Sequence, residues 1–507
     1  MSGKPDFSAR GSGILMPIFS LPSPYGIGAM GRAAREFIDF LAAARQSWWQ
    51  ILPVGPTSYG DSPYQSPSVF AGNPYLIDLD LLIEDGLLTR EEVGAVNWGD
   101  DPGRVDYGAL YRHRLPLLEK AAARGWERDK AAVEAFAGEN AGWLPEYALF
   151  MALKERFGMR SWLDWPDEAL RMHQKDAVEQ ARRELEERIR VYVYVQFLFF
   201  RQWAALREYA HQKGVGIIGD IPIYVALDSV DVWASPECFR LDEKRAPVEV
   251  AGVPPDYFCE DGQLWGNPLY DYEAMALTGY GWWIRRVGGA QKLYDVIRID
   301  HFRGFESYWA VPYGDKTAKG GRWIKGPGMA LVGVLRGWFH DLNFIAEDLG
   351  APSPEVVRLL EDSGFPGMKV LEFAFDPDES SSYLPHAYTE NCVCYTGTHD
   401  NSPLLGWRKQ ATPGERKKAK AYLGLNPAEG FTDGMLRAGM GSVARLFVAQ
   451  MPDWLEMGDE ARINAPGTPT GNWQWRMLPG QCTADLARRI ARMTVLYDRQ
   501  RPLAAAK

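Results

Sequence analysis

The stretch "DVIRIDHFRGF", residues 295–305, combines the pattern of a buried β-strand with charged side chains. Its apolar residues are typical of an interior strand, but Arg298 and Asp300 interrupt them two positions apart. Successive strand residues point to opposite faces, so these two charges lie on the same face. Burying charges is costly unless they are paired. We therefore predict that this end of the strand lines a functional site.

Seven other short apolar runs also have the length and residue types of buried strands. The predicted strands are residues 13–19, 48–54, 214–225, 295–300, 343–348, 368–375, 392–400 and 461–467. Helical patterns lie between most of them, including residues 31–45, 195–214 and 353–364. This alternation predicts an α/β fold, a single closed (β/α)8 TIM barrel over residues 1–507, with an open doubly wound sheet as the alternative.

Two connections are too long for ordinary barrel loops. The first contains helical patterns around residues 110–124, 129–137 and 145–156. We predict that residues 70–190 form a mainly helical inserted subdomain. The second, residues 226–290, is rich in Pro, Gly and aromatic residues, and we predict that it forms an inserted subdomain that acts as a lid over the cleft.

Composition excludes several classes of protein. The chain has 56 Lys and Arg against 66 Asp and Glu, a net charge of −10, which argues against nucleic acid or an anionic membrane as partner. No apolar run reaches transmembrane length, and the first residues lack an apolar signal core. Five thinly spread cysteines do not form a disulfide framework. We therefore expect a cytoplasmic protein.

Acidic residues close four of the predicted strands: Asp220, Asp300, Glu347 and Asp400. One such residue is more often a helix cap, but the carboxyl ends of barrel strands converge on one mouth, where active sites are built. Paired carboxylates suit glycoside cleavage, in which one protonates the leaving oxygen and the other attacks or activates water. We expect Arg298 to keep Asp300 ionised, as a nucleophile must be.

A competing motif is "GIGAMG", residues 26–31, which matches the dinucleotide-binding pattern G-x-G-x-x-G. Two prolines separate it from the preceding strand, and no acidic residue closes the following strand, so a nicotinamide dehydrogenase is the weaker hypothesis. No P-loop, G-x-S-x-G or H-E-x-x-H motif occurs, and no spacing indicates a zinc site. We therefore expect neither a metal nor a cofactor.

Long, unusual strings connect these residues to a known family. They are "YGDSPYQSPSVFAGNPYLIDL", "GDIPIYVALDSVDVWA", "VAGVPPDYFCEDGQLWGNPLYDY", "YDVIRIDHFRGFESYWAVP", "IAEDLG", "FPGMKVLEFAF", "YTGTHDN" and "INAPGTPTGNWQWRM". From about residue 10 to residue 478 the chain resembles the 4-α-glucanotransferases of the amylomaltase (disproportionating enzyme) type, glycoside hydrolase family 77 of the α-amylase clan. The resemblance implies an α-amylase-like barrel with inserted subdomains and no separate C-terminal β-domain.

The resemblance also implies roles for individual residues. Asp300 matches the nucleophile, Glu347 the acid/base and Asp400 the third carboxylate, which binds sugar hydroxyls. Residues matching substrate contacts are Tyr64, Asp220, Trp265, Arg298, His301, Asp376, His399 and Asn464. Tyr59 and Tyr107 match a second glucan-binding position. One departure is that Ser402 and Pro403 follow "THDN", where the family commonly has an acid and a threonine.

The implied activity is retaining transfer of an α-1,4-glucan segment to the 4-OH of glucose or of another α-1,4-glucan, with possible cyclisation. The expected partners are maltooligosaccharides, starch and glycogen, bound by a monomer or small homo-oligomer. An α-amylase-like hydrolase is the alternative enzyme, because it uses the same carboxylates. A catalytically silent glucan-binding module is the alternative from another class.

Overall fold

Short parallel strands form a closed barrel at the centre of the molecule, as the sequence predicted. The computed structural model describes residues 3–58, 60–255, 260–350, 353–468 and 470–500. The strands are β1 (Gly11–Leu15), β2 (Trp48–Gln50), β3 (Gly216–Ile221), β4 (Glu249–Val253), β5 (Gln263–Pro268), β6 (Val296–Ile299), β7 (Ser307–Pro312), β8 (Arg322–Lys325), β9 (Asn343–Ala346), β10 (Gly367–Val370), β11 (Cys392–Tyr395) and β12 (Leu446–Gln450).

The barrel contains eight of these strands, in the order β10-β11-β12-β1-β2-β3-β6-β9. Every ladder between neighbours in this order is parallel. The ring closes between β9 and β10, where the backbone N–H of Ala346 donates to Pro366 O at 2.9 Å. Side chains inside the ring include the buried Gln50 of β2, whose Oε1 accepts from the Tyr395 hydroxyl of β11 at 2.9 Å.

Helices surround the barrel and fill its long connections. They are α1 (Arg32–Ala43), α2 (Leu79–Glu84), α3 (Arg90–Gly94), α4 (Tyr107–Gly125), α5 (Lys130–Glu139), α6 (Leu144–Arg156), α7 (Glu168–Arg171), α8 (Lys175–Glu184), α9 (Glu186–Gln212), α10 (Val230–Ala234), α11 (Tyr272–Leu277), α12 (Gly281–Leu293), α13 (Met329–Trp338), α14 (Pro354–Ser363), α15 (Leu404–Gln410), α16 (Pro413–Leu423), α17 (Phe431–Gly441), α18 (Met451–Trp454) and α19 (Ala484–Leu496). Residues 70–190, the predicted helical insert, contain α2 to α8 and the start of α9.

The long helix α9 fixes the chain that leaves β2. The amide of Gln196 bonds to both backbone groups of Gly72, at 2.7 and 2.9 Å. One and a half turns later, Gln202 does the same to Asp78, at 2.7 and 3.1 Å. Buried backbone groups outside a helix or sheet need such partners. These amides therefore anchor the end of the segment that carries Tyr64 towards the barrel mouth.

A second, antiparallel sheet has the order β5-β4-β7-β8. Strands β4 and β5 lie in residues 226–290, the predicted lid, whereas β7 and β8 follow β6. Two barrel connections thus share one sheet. This sharing was not predicted, because strand pairing across more than 50 residues leaves no local pattern in the sequence.

The eighth predicted strand, residues 461–467, is wrong. The eighth barrel strand is β12, which pairs with both β11 and β1. Residues 462–465 are in no strand, and the backbone N–H of Asn464 donates to His399 O at 3.1 Å instead. The run "LFVAQ" was overlooked because it is short and α18 begins directly after it, so an apolar run there also fits a helix.

The glycines of "GIGAMG" serve packing between β1 and α1. A Cβ atom on Gly28 would lie 1.8 Å from Ile18 O, and one on Gly31 would lie 2.0 Å from Asp78 Oδ2. Protein oxygens thus occupy the space next to these glycines that a phosphate would need. The motif therefore gives no support to a dinucleotide-binding site.

Membrane-spanning helices and metal-binding clusters are both absent from the described ranges. Among the helices of these residues, none has both the length and the apolar character needed to cross a membrane. The same residues contain no group of three or more His, Cys, Asp or Glu side chains arranged to hold a metal ion.

Asp295, the first residue of the opening stretch, is buried at the other end of β6 from Asp300. Its carboxylate accepts from Ile217 N at 2.9 Å, Arg207 Nη2 at 2.6 Å and His211 Nε2 at 2.9 Å. Burial alone would raise the pKa of Asp295, but the bond from His211, the charge of Arg207 and the Ile217 N–H lower it to about 2. This cluster ties α9 and β3 to β6.

We expect Asp295→Ala to lower the free energy of unfolding at pH 7 by about 3 kcal/mol, because it removes the partner of the buried Ile217 N–H and of the partly buried cation Arg207. The carboxylate has a lowered pKa in the folded protein, so its contribution is present above the unfolded pKa and is lost as pH falls towards 2. The difference between wild type and variant in denaturant midpoint should therefore shrink below about pH 4.

Glu36→Ala is the matched control, since Glu36 forms an exposed pair with Arg32 at 2.7 Å on α1. It should leave the midpoint unchanged. Equal shifts for the two variants would contradict the role given to Asp295.

Candidate active site

The carboxyl end of β6 places one cation between two acids. Arg298 Nη1 lies 2.6 Å from Asp220 Oδ2 on β3 and 3.0 Å from Asp300 Oδ1. Asp220 and Arg298 face each other in the parallel ladder, and both are buried. Of the two acids bonded to Arg298, Asp300 is the one that reaches the open mouth, because 29% of its side chain is exposed.

Glu347 follows β9, the neighbour of β6 in the barrel. Its Oε2 accepts from His301 N at 2.7 Å and its Oε1 accepts from Leu349 N at 3.0 Å. Burial raises the pKa of Glu347 to about 7, with the charge of Arg298 opposing the shift and that of Asp300 adding to it. At neutral pH this carboxyl group therefore exists in both protonation states.

His301 adopts an unusual backbone conformation, with φ of 52°. This left-handed conformation is strained for a residue with a side chain, and such strain clusters at functional sites. Burial lowers the pKa of His301 to about 3, so the ring is neutral. Its ring meets Trp265 of β5 edge-on, with centroids 4.8 Å apart, which joins the antiparallel sheet to the barrel mouth.

Asp400 follows β11 and has its own set of partners. Its Oδ1 accepts from Asn464 Nδ2 at 2.6 Å and lies 3.3 Å from His399 Nε2. Arg462 Nη2 donates to the carbonyl oxygen of Asp400 at 2.7 Å. With 41% of its side chain exposed, Asp400 faces the mouth from a fixed backbone.

Aromatic rings line the side of the mouth between these acids. Tyr64 donates its hydroxyl to Asp220 Oδ2 at 2.9 Å, and its ring stacks on His399 with centroids 5.2 Å apart. Trp473 lies 5.7 Å from Tyr64 and 6.0 Å from His399. Burial lowers the pKa of His399, although the charge of Asp400 opposes this. The wall is thus flat and apolar with polar edges, as sugar rings require.

Three further predicted residues remain, and one of them, Tyr107, bonds to Trp473 of this cluster. Asp376 is exposed, and its Oδ1 accepts from Asp378 N at 2.8 Å. Tyr107 is 7% exposed and donates its hydroxyl to Trp473 O at 2.9 Å. Tyr59 lies outside the described residues. Their sugar contacts stay predictions.

Two residues of the site were not singled out from the sequence. Arg462 was read as part of a strand, although it holds the Asp400 backbone. Trp473 lies in the string "TGNWQWRM", whose aromatic residues between Gly and Asn were the available signal. The string contains two tryptophans, and Trp473 is the one that faces the site. Its orientation depends on a left-handed backbone φ of 61°, which no sequence pattern specifies.

The arrangement suits cleavage of a glycosidic bond. Asp300 is a solvent-reachable carboxylate beside a fixed cation, and Glu347 after the next strand is a partly buried carboxyl group whose raised pKa lets it hold a proton at neutral pH. A retaining glycosidase needs such a pair about 5–5.5 Å apart. Asp300 and Glu347 directly follow the paired residues Ile299 and Ala346 on neighbouring strands, whose backbones lie about 4.8 Å apart.

Comparison with known proteins agrees with this geometry. The sequence profile of the 4-alpha-glucanotransferase family matches residues 16–482. The 4-alpha-glucanotransferase of Clostridium butyricum is 46% identical over 96% of this chain and 100% of its own length. That of Thermus thermophilus is 47% identical over 97% of this chain and 99% of its own. A solved amylomaltase from Streptococcus agalactiae, in complex with acarbose, superposes with a TM-score of 0.95 at 42% identity, covering 97% of this chain and 100% of that one. The chain belongs to the 4-alpha-glucanotransferase family.

Proposed function

We propose that the protein transfers α-1,4-glucan segments by a double displacement in which Asp300 is the nucleophile and Glu347 the acid/base. Membership of the family gives the overall reaction. The observation that supports the assignment of roles is the contrast between Asp300, bonded to Arg298, and Glu347, whose pKa burial raises to about 7.

In the first step, Glu347 protonates the glycosidic oxygen while Asp300 attacks the anomeric carbon. Backbone N–H groups of His301 and Leu349 fix both oxygens of Glu347, so its carboxyl group cannot swing away. Arg298 fixes Asp300 in turn. Asp400, held by Asn464, binds sugar hydroxyls of the donor unit.

In the second step, Glu347 takes a proton from an incoming 4-OH, which attacks the glycosyl-enzyme and forms a new α-1,4 bond. Water would react through the same groups, so the α-amylase-like hydrolase alternative shares this site. Trp265 on β5 meets the His301 ring edge-on at the mouth, and we propose that it shields the intermediate from water, which would favour transfer.

The relatives support a proposal for the substrates, the cellular location and the oligomeric state. The solved amylomaltase is in complex with acarbose, and we propose that the ring-lined mouth formed by Tyr64, His399 and Trp473 takes α-1,4-glucans such as maltooligosaccharides, starch and glycogen. A cytoplasmic location and a monomeric or small homo-oligomeric state are part of the same proposal, as are the lid role of residues 226–290 and the second glucan position at Tyr59 and Tyr107.

Incubation with maltotriose tests the reaction. We expect glucose and longer oligosaccharides to form while the number of reducing ends stays constant, since each broken bond is replaced by an equivalent one. Asp300→Asn should lower turnover by about three orders of magnitude or more, because a carboxamide cannot attack the anomeric carbon. Chromatography of the products with a reducing-end assay measures both. A steady rise in reducing ends would establish the hydrolase instead.

A donor with a good leaving group separates the two roles. α-Maltotriosyl fluoride needs little protonation, so Glu347→Gln should still release fluoride in a burst and then stall as the glycosyl-enzyme, because no base activates the acceptor. Intact-mass analysis and peptide mapping should place the adduct on Asp300. Asp300→Asn should give no adduct. An adduct on another carboxylate would overturn the nucleophile assignment.

The raised pKa of Glu347 predicts the alkaline side of the pH profile. The group must carry its proton to cleave maltotriose, so kcat/KM should fall about tenfold per pH unit as pH rises above about 7. With α-maltotriosyl fluoride this decline should be absent from the fluoride burst. The same alkaline decline with both donors would assign the titration to another group.

A further inference from the structure

An exposed tryptophan lies beside the catalytic strand ends without a place in the mechanism above. Trp323 on β8 is 44% exposed, and one edge packs on Trp309 of β7 with centroids 5.3 Å apart. The guanidinium of Arg303 lies over its ring, 4.4 Å from the centroid. A large indole held at this exposure on an edge strand is a surface that can bind a flat apolar partner.

The backbone places this pair next to the acid/base. The N–H of His301 donates to Glu347 Oε2, and the N–H of Phe302 donates to Glu347 O at 3.0 Å. Arg303 is the next residue along. Burial lowers the pKa of Arg303, and the negative charges of Glu306 and Glu347 oppose that shift, as expected for a cation near the site.

The end of β8 is fixed against the same turn. Gly326 N donates to Glu306 O and Gly328 N donates to Phe305 O, each at 2.7 Å. Trp323 therefore cannot move away from Arg303 without breaking backbone bonds. These bonds hold the end of β8 against the loop that carries Arg303.

Arg303 supports the indole from one face. Its Nε is buried, so a ligand does not reach that atom. The guanidinium covers one face of the Trp323 ring, and because Trp323 is 44% exposed the opposite face stays open to a partner.

We infer that Trp323, supported by Arg303, forms an acceptor subsite in which a glucose unit stacks on the indole face opposite the guanidinium. The inference rests on the proposed function, because Glu347 meets the leaving and incoming oxygens and so marks the acceptor side of the bond. Arg303 lies two residues beyond His301, whose N–H bonds to Glu347, so we place the stacked glucose at the second or third unit from the reacting bond.

This position gives the enzyme a preference between acceptors. Glucose fills only the first unit and does not reach Trp323. Maltose and maltotriose extend to it and gain the stacking contact. The pair thus favours transfer onto oligosaccharides over transfer onto glucose or water.

Acceptor kinetics with Trp323→Ala test this inference. With α-maltotriosyl fluoride as donor, the KM for maltotriose as acceptor should rise about five- to tenfold, the size of an aromatic stacking contact. The KM for glucose and the fluoride burst rate should each change by less than about twofold. Trp338→Ala is the matched control, since Trp338 is a 65% exposed indole at the end of α13, and it should alter none of these values.

Further variants remove the ambiguity of a folding defect. Trp323→Leu keeps apolar bulk over Arg303 and should show the same rise in KM for maltotriose, whereas Trp323→Tyr should recover most of the wild-type value. An unchanged KM for maltotriose in Trp323→Ala and Trp323→Leu would overturn the inference, as would an equal rise for glucose. Failure of the proposed function is distinct, because wild type would then convert maltotriose to hydrolysis products alone.

Discussion

Arg298 donates from one nitrogen to Asp220 across the ladder and to Asp300 on its own strand, with all three groups packed into the barrel mouth. Taking such ions out of water costs several kcal/mol each unless their geometry and further hydrogen bonds compensate. Burial would lower the pKa of Arg298, but the charges of Asp220 and Asp300 raise it well above its usual range, so it remains a cation. The position of the nucleophile therefore depends on the register between β3 and β6, which places Asp220 opposite Arg298. A shift of one residue in the pairing of β3 with β6 would turn these side chains to the other face of the sheet.

The same barrel gives neighbouring carboxyl groups opposite chemical roles. Asp300 ends β6 with a guanidinium 3.0 Å away and part of its side chain in solvent. Glu347 follows the adjacent strand and accepts from the backbone N–H groups of His301 and Leu349, in a partly buried setting that raises its pKa to about 7. Two acids in such different environments can act as nucleophile and proton donor at one pH. The left-handed turn at His301 links the two environments, because it directs an N–H from the nucleophile's own loop onto the acid.

Seven of the barrel strands and the acids at their ends could be predicted from the sequence, because parallel strands are continuous apolar runs and a terminal charge stands out in them. Strand β12 could not, since five apolar residues directly before a helix fit either structure. The antiparallel sheet was also beyond reach: β4 and β7 pair across the whole of β6, and only tertiary contact selects them. In the site, Arg462 and Trp473 act through backbone geometry, by a bond to the Asp400 carbonyl and by a left-handed φ, and neither leaves a residue-type pattern.

The departure at Ser402 shows how the Asp400 loop tolerates a change of chemistry. Ser402 is buried, and its hydroxyl oxygen accepts from Gln410 Nε2 at 3.0 Å and from Arg462 Nη1 at 3.2 Å. A carboxylate at this position would take up the Arg462 charge directly. With serine there, the guanidinium also bonds to the carbonyl oxygens of Asp400 and Asn464, at 2.7 and 2.8 Å. Pro403, just before α15, lacks the N–H that would otherwise need a partner in this buried turn. The loop thus keeps Asp400 in place by backbone contacts, which depend on Arg462 and not on the acid that the family commonly carries.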